Sequence, residues 1–232
     1  EMRRCVDEKK LSILFSRYIA KFDVLTNSYY DESYKWVACQ QFKDCWEPNR
    51  SDFADMLKKA LGGLGNITDA GKMRPRKGVE LFAEQEPDIV RDMFLALFAD
   101  GDLKTRVDRF IGSSEALVRK YGNWSNEQTP SAVMAYLACW KPDEYFFFKP
   151  REAWKFARFV GFEDDWGAAS AFKPDVYCRM CNQLIEAMRQ CDELMQTNKS
   201  RFVKDGRKLW PDEALHILAY DLIFCSFSPK YN

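Results

Sequence analysis

Two cysteines three apart, Cys178 and Cys181, are the first residues whose type and spacing suggest chemistry. A Cys-x-x-Cys pair is half of a tetrahedral zinc site and needs a second pair of ligands to close it. The other candidates are Cys39, Cys45, Cys191 and His216, and none of them forms a recognised second half. A redox Cys-x-x-Cys follows a strand and opens a helix, whereas here Val176, Met180 and Leu184 place the pair inside a helical stripe. Helix packing is therefore the expected role, and no metal or other cofactor is assigned.

His216 is the single histidine, which excludes any site built from two or more of them. Its side chain titrates near working pH and would suit a general base. No serine or cysteine partner is identifiable and no Gly-x-Ser-x-Gly elbow occurs, so a packed or surface helix histidine is expected. Glu163, Asp164 and Asp165 fall in one turn and read as a solvated loop after Gly161. No phosphate-binding Gly-x-x-x-x-Gly-Lys-Ser/Thr loop and no Gly-x-Gly-x-x-Gly fingerprint is present. Gly62-Gly63-Leu64-Gly65 resembles neither and reads as a flexible connector. No catalytic constellation is expected in this chain.

Basic charge is more informative. Lys and Arg total 35 and Asp and Glu total 35, so a wholly basic nucleic-acid binder is excluded while a local patch is not. Lys72, Arg74, Arg76 and Lys77 lie within six residues with no acid among them. Lys199, Arg201, Lys204, Arg207 and Lys208 share a polar stretch whose one acid is Asp205. Arg151, Lys155 and Arg158, spaced i, i+4, i+7, form one stripe if that segment is helical. Aromatics flank two of these clusters: Phe202 and Trp210, and Trp154 and Phe156. Positive groups beside stacking groups suit a nucleic-acid backbone and an unstacked base, and DNA is the partner they suggest. An ordinary solvated surface, with the aromatics turned to the core, is the competing reading.

The elements that would hold these residues are helices. Leu11, Leu14, Phe15, Tyr18 and Phe22 make one apolar stripe over 10–22, and 31–46 and 51–62 repeat the pattern less cleanly. Proline sits repeatedly where a first helical turn tolerates its missing N–H: Pro87, Pro130 (with Thr129 as N-cap), Pro150 (with Gly161 as the stop), Pro174 and Pro211. The Pro174 pattern runs on to Met195 as one long helix, and 103–121 adds another. The segment opened by Pro150 is apolar almost all round and is expected to be a central helix. Tyr145-Phe146-Phe147-Phe148 cannot all lie on one face, and reads as a buried turn ahead of it. No period-two alternation persists over five residues. The expected class is all-α, a two-lobed multi-helix bundle, with room for short strands only in the first 85 residues. The Gly-rich break at 62–66 and the basic stretch after it predict a helical lobe over 1–66, a connector over 67–86 and a second lobe over 87–232.

With 232 residues and 47% apolar content, the chain can bury a sizeable core. No run of 18 apolar residues occurs, so no membrane span is expected. The eight cysteines, Cys5 included, fall mostly in apolar helical patterns, and the charged N-terminal residues show no signal-peptide core. Both point to reduced thiols and a cytoplasmic setting, while three N-x-S/T sequons (Asn66, Asn123, Asn198) argue the other way.

The run from about 87 to 162 resembles the helical N-terminal regions of AAA+ restriction NTPases of the McrB type. There a helix leads into a Pro-acid-x-Tyr-aromatic turn and then a Lys/Phe-rich helix. The matching residues are Pro142, Asp143, Tyr145, Phe146, Phe147, Phe148, Lys155, Phe156 and Phe159, and 216–224 is similar to the closing helix of such regions. The family's nucleotide-binding loop is absent here. The resemblance therefore implies a front domain in antiviral defence by restriction-modification, reading DNA or a modified base while a motor domain and a partner nuclease act. The residues leave open a protein-interaction or sensor domain, an enzyme using His216, and a zinc-stabilised helical domain.

Overall fold

The computed structural model describes residues 6–68, 75–122, 124–162 and 165–231. The described residues form eleven α-helices and one 3-10 turn, with no strand among them. The room left for strands in the first 85 residues is thus taken, where described, by helices and the turns that join them. Among the described residues no helix is long and apolar enough to cross a membrane.

The chain divides into two units, and the division is not sequential: Glu1–Ser33 with Phe148–Asn232 makes one, and Tyr34–Phe147 is inserted within it. The expected break at 67–86 lies inside the inserted unit, and all of it from Pro75 to Gln85 is helix.

The outer unit contains α1 (Glu8–Leu25), α8 (Pro150–Phe159), α9 (Pro174–Arg189), α10 (Asp192–Lys204) and α11 (His216–Phe227). Asp7 caps α1, accepting from the amides of Lys9 and Lys10 at 2.9 and 3.2 Å. The predicted stripe of α1 is buried along its length, from Leu11 to Leu25. It packs on α9, α10 and α11. α8 starts on Pro150 as expected. It stops at Gly161, whose φ of 67° and the bond from the Phe162 amide to the Ala157 carbonyl (2.9 Å) make a left-handed helix stop. Of the acidic loop expected after it, Glu163 and Asp164 lie outside the described residues, and Asp165 is exposed.

Three expectations change here. The pattern from Pro174 to Met195 is not one helix; it breaks at Gln190–Cys191 with no glycine or proline. Asp192 and Glu193 favour the positive start of a new helix, and so begin α10. Pro211 does not open α11, which starts at His216. Instead Asp212 and Leu215 adopt positive φ (52° and 62°), and the Asp212 carboxylate reaches forward to the amides of Ile217 (3.0 Å) and Leu218 (2.9 Å). Lastly, α8 is one-sided rather than central: Ala153, Phe156 and Ala157 are buried, while Arg151 and Arg158 are exposed. The helix buried almost all round in this unit is α11.

The inserted unit contains α2 (Tyr34–Cys45), α3 (Phe53–Leu61), the 3-10 turn Gly62–Ile67, α4 (Pro75–Gln85), α5 (Pro87–Phe98), α6 (Leu103–Tyr121) and α7 (Pro130–Trp140). In α7 every residue from Ala132 to Cys139 is buried. Its core is aromatic, with Phe98 stacked on Trp140 at 4.4 Å between ring centroids and Phe94 edge-on to Phe110. Phe146 and Phe147 are also buried, and Tyr145 half-buried, along the extended stretch that follows α7. Gly62–Gly65 is not a loose connector. The 3-10 turn lies against α2, and a Cβ built on Gly63 would come within 2.8 Å of the Ala38 Cα.

Candidate nucleic-acid interface

α8 keeps two of the three cations of its stripe, Arg151 and Arg158, on the surface. The buried face, Ala153, Phe156 and Ala157, turns toward α11, where Phe227 meets Phe156 and Phe159 at 6.2 and 5.7 Å. That fixes the opposite face outward, so Arg151 and Arg158 are exposed. The Arg158 guanidinium lies 5.0 Å from the centroid of the Trp154 ring, an arrangement that orders both side chains while leaving the cation in water. Lys155 bends back and donates to the Phe227 carbonyl at 3.5 Å, so it is half-buried and less available. The Asp7 amide donates to the Val160 carbonyl at 2.8 Å, which ties the start of α1 to the end of α8. Lys10 accordingly sits 6.0 Å from the Phe159 ring, with Lys9 exposed beside it. Asp7 and Glu8 at the same helix start, and the half-buried Glu152, temper this positive field.

The other predicted cations are placed differently. Lys72 and Arg74 lie outside the described residues. Lys77 is exposed, whereas Arg76 donates to the Gly62 carbonyl (2.8 Å) and has Glu80 at 3.6 Å, so it braces α4 against the 3-10 turn. In the stretch from Lys199, Arg201 requires correction as a surface contact: its side chain is fully buried. The stretch up to Lys204 is helix α10, and its inward face carries Leu194, Asn198 and Arg201. Lys204 pairs with Asp23 at 3.0 Å. Arg207 forks between Asp31 and Asp205 (2.6 and 2.7 Å), which holds the Asp205 carboxyl below its usual range. Phosphate would have to displace two carboxylates there. Lys199 and Lys208 remain exposed.

Arg201 belongs to a buried polar network that sequence reasoning missed. Its guanidinium donates to the hydroxyls of Tyr18 (2.7 Å) and Ser33 (2.6 Å), and lies 3.7 Å from the Asp221 carboxylate. Tyr18 donates in turn to Asp221 at 2.5 Å, and burial pushes its phenol well above its ordinary range. Glu32 is buried nearby and accepts from Lys230 (2.8 Å) and from Tyr231. Glu32, Asp221 and Cys225 bring potential ligand atoms within 4.8 Å of one another. Asp221 already accepts from Tyr18 and faces the Arg201 guanidinium, and Glu32 accepts from Lys230 and Tyr231. Side-chain cations thus already offset both carboxylates. One signal was readable: Asp221 interrupts the otherwise apolar run from Ile217 to Cys225.

The Cys178-x-x-Cys181 pair lies within α9. Burial pushes the Cys178 thiol up to about 11 and raises the Cys181 thiol well above its ordinary value. Both are therefore protonated at neutral pH, unlike an activated redox thiol. His216 is the half-buried first residue of α11.

No family model, curated protein or solved structure matches the chain.

Proposed function

We propose that this chain is a non-catalytic recognition domain that binds nucleic-acid phosphates through α8. The observation that carries this reading is the exposed Arg151 and Arg158 pair flanking Trp154, with the Arg158 guanidinium already held against the ring. Two cations on one helical face suit consecutive phosphates, and an ordered Arg–Trp pair offers a flat surface to an unstacked base. The resemblance to the front regions of McrB-type restriction NTPases supports DNA as the nucleic acid, with an AAA+ motor and a nuclease as the proteins it serves. Lys77 and Lys199 are secondary contacts in this reading; Arg201, Lys204 and Arg207 are not part of it.

The test is a titration at two salt concentrations with duplex, single-stranded and cytosine-modified DNA, on the wild-type chain and on Arg151→Ala/Arg158→Ala. Binding that falls steeply with salt, with a slope reduced by about 2 in the double variant, supports the reading. A preference among the probes makes the domain a reader. No binding at low salt removes it.

A second reading, docking of a protein partner, is favoured by a groove between α5 and α6 lined by Ile89, Met93, Leu97 and Phe110 with the exposed Arg109 beside them. Ile89 there is 46% exposed. Partner binding insensitive to salt and abolished by Ile89→Asp distinguishes it from the first.

A further inference from the structure

Cys39 and Cys139 stand apart from the other cysteines. Cys39 lies in the middle of α2 and Cys139 near the end of α7, two helices of the inserted unit that pack against each other. Both are fully buried, and their Sγ atoms are 4.0 Å apart. The Cys39 thiol also lies 3.7 Å from the Ala138 carbonyl, so it faces both that oxygen and the Cys139 sulfur. A disulfide needs its sulfurs at about 2.05 Å, so these two must approach by roughly 2 Å between helices that already touch.

We propose that Cys39 and Cys139 are an oxidant-sensitive pair that forms a disulfide bridging α2 and α7. With hydrogen peroxide, one thiol, deprotonated, attacks an oxygen of the O–O bond. It becomes a sulfenic acid, and the departing hydroxide leaves as water with the thiol's proton. The second sulfur then attacks the sulfenic sulfur and forms the S–S bond, and the hydroxyl departs as a second water with the second thiol's proton. In sum, two thiols and one peroxide give one disulfide and two waters, the sulfurs oxidised and the peroxide reduced. Burial makes the pair slow to start and protects the product once made, because a reductant must reach the same interior. Closing a ring of about 100 residues between positions 39 and 139 constrains the unfolded chain strongly.

The test is to treat the full chain with peroxide, block remaining thiols, and map peptides without reduction. A peptide pair joined through Cys39 and Cys139, lighter by two hydrogens, is expected. A rise of at least about 5 °C in the melting midpoint, reversed by reductant and absent in Cys39→Ala and in Cys139→Ala, should accompany it. The half-buried Cys45 and Cys191 report in the same map whether the oxidant acted. Oxidation at those two with Cys39 and Cys139 still recovered as thiols overturns the proposal. So does a Cys39 or Cys139 joined to any other cysteine in the folded protein.

Discussion

Arg201 and Asp221 face each other at 3.7 Å with neither side chain reaching solvent, and the Tyr18 hydroxyl bonds to both. Removing one charge strands the other in a low-dielectric interior, which costs far more than the pair itself contributes. Arg201→Met or Asp221→Leu alone should destabilise the chain by about 3–5 kcal/mol. Changing both together should cost less than the sum, with a coupling of at least about 1 kcal/mol in urea unfolding. Additive losses would mean that the two charges do not depend on each other.

Gly63 offers a backbone test of the inserted unit. Its missing Cβ lets the 3-10 turn lie against α2, where an added methyl would meet the Ala38 Cα at 2.8 Å. Backbone cannot swing aside as a side chain can. Gly63→Ala should therefore lower stability by about 1–3 kcal/mol in urea unfolding, although alanine at an open helical site is stabilising. Gly112 lies inside α6 with open space for 4 Å around the position a Cβ would take, so it is the matched control and should gain on the same change.

Acid should loosen the contact between the start of α5 and the end of α6. Lys120 and Tyr121 both donate to Glu86, and these bonds hold its carboxyl below its usual 4.5. A folded-state value below the unfolded one means stability that is present above 4.5 and lost as pH falls through the lower, folded value. The melting midpoint of Glu86→Gln should therefore change less than that of the wild type between about pH 5 and pH 3. Parallel curves would show that the carboxylate adds nothing there.

Thiol labelling separates a packing cysteine from a reactive one. Because burial raises Cys178 to about 11, its alkylation in the folded protein should stay slow at pH 8 and climb steeply only in strong alkali. Fast labelling at pH 8 would reopen the redox reading of the Cys178-x-x-Cys181 pair.

What the sequence made legible was local. The α1 stripe, the proline starts of α5, α7, α8 and α9 and the Gly161 stop are each decided within a turn or two of chain, and each is where periodicity and capping put it. The Gln190 break and the forward cap from Asp212 were missed because neither uses glycine or proline: Asp192, Glu193 and Asp212 are weak marks beside the apolar runs around them. The same limit governs the candidate site. Spacing alone put Arg151, Lys155 and Arg158 on one stripe. Nothing nearby in sequence shows that Arg201, one helical turn from Lys204, turns inward to Tyr18 and Asp221, while Lys204 meets Asp23 at the surface. Charge counted along a chain cannot tell a cation that faces water from one that a distant carboxylate has claimed.

The insertion of Tyr34–Phe147 within the outer unit sets an order of events at the ribosome. α1 emerges before the helices it packs on, with its apolar stripe exposed, and the hydroxyl of Tyr18 must wait 203 residues for its carboxylate. All residues of the inserted unit are made by Phe147, well before α11. Loss of the last helix should strip α1 and α8 of a helix that both pack on, and an early translation stop would yield a chain with a greasy, unclaimed α1, the kind of segment that chaperones hold and proteases find.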